Sequence, residues 1–109
     1  MNYADEILGV VEPRLEAIES MRVRENGRWV VGEDYHRAEV ANGKEVLKWV
    51  KTDFTVWVEP TELDWVIGLF SFEIEKAWDR FGSYTNGTKE AVKDLMRFSH
   101  LIGWLESAK

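Results

Sequence analysis

The chain has 109 residues, 45% of them apolar and 31% charged, which is the size of one domain with enough apolar surface for a core and excludes a disordered or low-complexity segment. Twenty acids against fourteen bases leave a net charge of −6, which argues against nucleic acid as a partner because no general phosphate-neutralising surface is available. Cysteine is absent, so disulfides, thiolate zinc sites and cysteine nucleophiles are excluded, and a reducing compartment is the expected setting.

The first residues, MNYADEILGVVEP, carry acids where a signal peptide needs bases, and no apolar run reaches the roughly 20 residues of a membrane span. The expectation is a cytoplasmic protein of a single domain, 1–109, with no membrane segment. A helix is predicted from near Asn2, because Tyr3, Ile7, Val10, Val11, Leu15 and Ile18 gather into one stripe at 100° per residue. Pro13 should kink that helix or begin a second one, since its ring clashes with the preceding turn. Beside the stripe lie Asp5, Glu12, Glu16 and Glu19. They are either a solvated face or an acidic ridge aimed at a basic partner.

From Met21 the apolar period changes to two, and Asn-Gly occurs twice between apolar stretches, at 26–27 and 42–43. Asn-Gly favours the type I′ turn of a two-residue hairpin, so strands are expected near 21–25, 28–32, 35–41 and 44–58, with a turn over Gly32 to Asp34. Arg24 should face Trp29 across the first hairpin in a cation–π contact. The second hairpin would set Ala38 opposite Leu47, His36 opposite Trp49 and, less favourably, Arg37 opposite Lys48. Its long strand, EVLKWVKTDFTVWVEP, changes face partway. A bulge around Lys51 to Asp53 would account for that, leaving Trp57 without an assigned side.

Pro60, Thr61 and Asp64 resemble a helix cap in which the Thr61 hydroxyl accepts from the Asp64 amide. A helix is predicted over 62–81, ending at Gly82. After the turn SYTNG a last helix is predicted over 89–107, capped by Thr88 or Asn86. Asn86-Gly87-Thr88 also matches a glycosylation sequon, read here as a turn and a helix start. The expected fold is α+β: an N-terminal helix, an antiparallel three- to four-stranded meander, and a C-terminal helical hairpin packed on the sheet.

The helix over 62–81 is apolar on two sides. Leu63, Val66, Ile67, Phe70, Ile74, Ala77, Trp78 and Phe81 make a broad face, and Trp65, Leu69 and Phe72 a narrower patch opposite. Such a helix is enclosed by its own fold or offers one side to another chain, and Trp and Phe are the types that anchor interfaces. The candidate partner-binding residues are Trp65, Leu69, Phe72 and Trp57. On the last helix Lys89, Lys93, Arg97, His100 and Trp104 share a narrow arc, either a solvated face paired with neighbouring acids or a basic–aromatic stripe for a nucleic-acid strand.

Chemistry-bearing motifs are missing: there is no glycine-rich phosphate loop, no His-x-x-x-His, no serine elbow and no metal-ligand spacing. No cofactor, metal site or catalytic residue is therefore expected, and His36 and His100 are read as packing or surface residues. The preferred reading is a non-enzymatic protein-interaction module, a homodimer that uses the aromatic helix face. The alternatives are an acidic inhibitor or nucleic-acid mimic aimed at a host defence enzyme, of the kind a virus or mobile element supplies, and a small-ligand domain with a tryptophan-lined pocket.

Overall fold

The computed structural model describes residues 2–82 and 88–109. The predicted SYTNG turn, the Asn86 cap and most of the sequon fall outside them. The element order is α1 (Tyr3–Ser20), β1 (Val23–Glu25), β2 (Arg28–Val30), α2 (Asp34–Lys51), α3 (Pro60–Gly82) and α4 (Thr88–Ser107). Among the described residues the expected α+β meander is thus replaced by four helices and one two-stranded antiparallel sheet. The chain forms two compact units, Met1–Trp65 and Val66–Lys109, with α3 beginning in the first and continuing in the second.

In the first unit α1 starts where the sequence places it. The Asn2 side chain accepts from the Asp5 amide at 3.2 Å, and Asp5 and Glu6 lie in the first turn, where the helix dipole favours negative charge. Ile7, Val11 and Ile18 of the predicted stripe are buried, and Tyr3, Val10 and Leu15 half-buried. Pro13 lies inside one continuous helix and begins no second one.

The first Asn-Gly behaves as expected. Asn26 and Gly27 have φ of 52° and 76°, the two positive values that a type I′ turn requires, and Val23, Arg24 and Glu25 pair with Val30, Trp29 and Arg28. The Arg24 guanidinium lies 5.4 Å from the centre of the Trp29 ring.

The second Asn-Gly makes no turn. Residues 34–51 form one helix, so the expected strands at 35–41 and 44–58, their pairings and the bulge near Lys51 to Asp53 do not exist. Helical spacing explains the burial pattern that alternation could not, because His36, Gly43, Val46, Trp49 and Val50 fall on the buried side. Gly43 is needed for a different reason from the one its dipeptide implied. A Cβ there would stand 2.6 Å from Leu15 Cδ2, so glycine permits α1 and α2 to approach closely.

The end of α2 explains the face change that resembled a bulge. The Phe54 amide donates to the Trp49 carbonyl at 2.8 Å and the Asp53 amide to the Val50 carbonyl at 3.1 Å, which is the paired pattern of a Schellman cap. Asp53 takes the left-handed position with φ of 55°, and Phe54 follows with φ of 62°. The Phe54 ring then packs edge-on to Trp49, centroids 4.7 Å apart, which supplies the apolar contact such caps use. Asp53→Gly should therefore stabilise the fold by about 0.5–1 kcal/mol, since glycine relieves the left-handed cost and gives back part of the gain as chain entropy. Urea unfolding reads this directly; a destabilised variant would show that the aspartate side chain holds the cap.

α3 begins earlier than predicted. Pro60 opens it, and Glu62 Oε2 accepts from the Glu59 amide at 3.3 Å, half of a capping box with proline in the first helical position. The helix therefore starts at Pro60 rather than after a Thr61 cap. In the second unit the buried residues are Val66, Phe70 and Ala77 of α3 with Ala91, Phe98, Leu101 and Leu105 of α4. Phe70 and Phe98 bring the two helices together, their ring centroids 5.8 Å apart.

Candidate functional site

A part-buried polar constellation lies in the first unit. Glu39, on α2, has a side chain only 14% exposed and accepts from three donors. Arg14 of α1 donates through Nε to Oε1 at 3.1 Å and through a terminal nitrogen to Oε2 at 2.7 Å, the two-pronged geometry that suits a planar guanidinium. The Trp65 indole donates to Oε1 at 3.1 Å. Burial is the largest single influence on the Glu39 carboxyl and pushes its pKa up, but the Arg14 and Trp65 hydrogen bonds and the Arg14 charge together outweigh it, so the net shift is downward. Its hydrogen bond to Glu39 raises Arg14 in turn.

That network relocates one of the predicted partner-binding residues. Trp65 is half-buried and tied to Glu39 within its own unit. Leu69 is half-buried, and Phe72 is 58% exposed with the Lys76 ammonium 5.1 Å from its ring centre. Trp57, in the segment after α2, is 75% exposed. The broad face of α3 is itself divided: it is buried at Leu63, Val66, Phe70 and Ala77, while Trp78 and Phe81 stand exposed and packed edge-on to each other at 5.6 Å.

The acidic residues Asp5, Glu12, Glu16 and Glu19 are all exposed on α1, within an arc of about 60° and over a length of about 21 Å. Glu19 lies 2.8 Å from Arg22 Nε, an ion pair rather than an aligned hydrogen bond. Glu12 and Glu16 have no ion-pair partner among the described residues. On the other side of Arg22, an open groove of about 400 Å3 runs between the hairpin and α2. Val30, Val31 and Val40 line it with the ring of Trp29, and Arg22, Arg37 and Lys44 outnumber Glu25 as its charged groups. Arg37 donates to the Val31 carbonyl at 2.6 Å and pairs with Asp34 at 3.1 Å, so it fastens the end of the hairpin to α2. Lys44 is exposed and has no ion-pair partner among the described residues.

The predicted basic–aromatic stripe on α4 is already engaged with acids of its own unit. Asp94 accepts from Arg80 of α3 at 2.6 Å and forms an ion pair with Arg97 at 3.1 Å, and Lys93 stands 3.9 Å from Glu90. Arg97 also lies over the Phe98 ring at 4.8 Å. His100 is exposed and Trp104 half-buried. The α3–α4 groove in this unit, about 560 Å3, alternates Glu73, Lys76, Asp79 and Arg80 with Asp94 and Arg97, with no dominant sign of charge.

Among the described residues no group of three or more His, Asp or Glu is placed to hold a metal ion. His36, expected in a sheet, lies buried near the start of α2 with its ring 4.0 Å from Tyr35, and its Nε2 has no hydrogen-bond partner among the described residues. No described helix is long and apolar enough to cross a membrane. Sequence reading missed the Arg14–Glu39–Trp65 network and the hairpin groove. The network joins residues 25 and 26 positions apart, and the groove sets a hairpin beside a helix where the sequence predicts strands. Comparison with protein-family models, curated proteins and solved structures finds no match to this chain.

Proposed function

We propose that the chain is a non-enzymatic protein-interaction module that self-associates. The observation supporting this reading is the set of large aromatic side chains left in water: Trp57, Trp29, Phe72 and Trp78 are each more than half exposed. Tryptophan and phenylalanine bring much apolar area to an interface at little entropic cost, and a chain of this size leaves so many bare only at a cost in solubility. Sedimentation across a wide range of protein concentration tests it. A dimer is the expected species; a monomer at every concentration overturns the reading.

A second reading draws on the α1 ridge. An exposed acidic row of about 21 Å has the length and sign to imitate a stretch of nucleic-acid backbone before a basic enzyme, as an inhibitor of a host defence system does. Here Glu12→Lys with Glu16→Lys should abolish binding to that enzyme, and binding should weaken steeply with salt. Salt-insensitive binding would remove its electrostatic basis.

A further inference from the structure

We infer that the hairpin and the groove beside it form a two-fold interface between copies of this chain, in which the α1 acidic ridge of each copy lies on the basic groove of the other. This rests on the self-association proposed above and gives it a surface.

Three observations lead to it. The hairpin and the turns that flank it leave a group of apolar side chains bare, with Met21, Val23, Trp29 and Tyr35 from 43% to 61% exposed. Its strands are three residues long, and an isolated two-stranded ribbon of that size is marginal in water and leaves both edges unpaired. Something that covers this ribbon would add contacts the unit itself does not supply.

The second observation concerns sign. Copies of a chain carrying −6 repel one another at a distance, so association must set unlike patches together. This unit carries both, an acidic ridge whose Glu12 and Glu16 lack ion-pair partners and a groove where Lys44 lacks one.

Thirdly, the two patches abut. The Glu19–Arg22 pair joins the end of the ridge to the rim of the groove. Patches of opposite sign lying side by side are brought face to face by a two-fold axis along their border, which makes the contact closed and self-complementary. A single nucleic-acid strand fits less well, since Glu25 lines the groove and the ridge beside it repels phosphate.

Two charge-reversed variants provide the test: Glu12→Lys with Glu16→Lys on the ridge, and Arg22→Glu with Lys44→Glu in the groove. Sedimentation should show each alone as a monomer where the native chain is a dimer, and an equimolar mixture should restore the dimer, because every ridge then meets a groove of opposite sign. A variant that failed to fold could not be rescued by mixing. The native dimer should also weaken roughly tenfold or more between low and high salt. Variants that dimerise as tightly as the native chain, a mixture that stays monomeric, or a dimer indifferent to salt each overturn this interface while leaving self-association standing. A native chain that is always monomeric, or that instead binds a single-stranded oligonucleotide through the groove, overturns both.

Discussion

Replacing Glu39 with alanine is expected to lower stability by roughly 2 kcal/mol, the middle of the range for a part-buried polar group left without its acceptor. The carboxylate is the shared acceptor of Arg14 and Trp65, so its loss leaves the indole N–H without its acceptor and Arg14 with Tyr35 but no carboxylate, in a part-buried setting. The penalty comes less from the interactions lost than from donors that water reaches poorly. Glu39→Gln should cost less, because an amide oxygen still accepts one of the hydrogen bonds while the charge is gone. Urea unfolding at neutral pH measures both, and an alanine variant within about 0.5 kcal/mol of the native chain would mean that the network is ornamental.

The same carboxylate makes stability depend on pH. Its folded pKa lies below the ordinary glutamate value, so the unfolded chain takes up the proton first as pH falls. The stabilisation is complete above the ordinary glutamate range and is lost as pH falls through the lowered folded value. The gap in unfolding free energy between the native chain and Glu39→Gln should therefore be widest near neutrality and narrow in acid. A gap that widened in acid would reverse the assignment.

At Gly43 the expected result is a change of sign with context. Gly43→Ala improves helix propensity by about 1 kcal/mol, yet its new methyl would stand 2.6 and 2.9 Å from the two Leu15 methyls. Overpacking of this kind costs about 1–3 kcal/mol, with the middle of the range, about 2, apt here because Leu15 is half-buried and its Cγ as well as both methyls must move. A net loss of about 1 kcal/mol is expected in the native background, and roughly 2–3 for Gly43→Val, whose branches cannot turn away from α1. In a Leu15→Ala background the obstruction is gone, and Gly43→Ala should stabilise by about 1 kcal/mol. A double-mutant cycle by urea unfolding reads the coupling; additive effects would show that the two side chains do not meet.

These residues also show where the sequence was legible. The spacing of Ile7, Val11 and Ile18 marked α1, and the stripe from Leu63 through Phe70 to Ala77 marked α3, because long amphipathic periods survive whatever packs on them. Asn26-Gly27 marked the hairpin, because its demand for positive φ is local. Asn42-Gly43 carries the same letters for another cause, a close approach by Leu15 from twenty-eight positions away, which no local pattern reveals. The failure of alternation at Leu47 and Trp49 was the available sign that residues 45–50 are helical. Val46, Trp49 and Val50 sit at helical spacing on one side. The candidate site was legible in part: Phe72 and Trp57 are exposed, whereas Trp65 belongs to a network whose acceptor, Glu39, carries no mark in sequence. Nothing local distinguishes a glutamate that will be buried from one that will not.

Pro13 has a further consequence for α1. Having no amide hydrogen, it cannot close the bond to the Gly9 carbonyl, so the ladder of α1 lacks one rung in mid-helix, where both residues are exposed. The turn ahead of Pro13 combines glycine, a poor helix former, with a missing rung and is the place where the interior of α1 opens most readily. Among the interior turns of the helix amide exchange should be fastest there, so the backbone that carries Glu12 opens more often than the turn that carries Ile18.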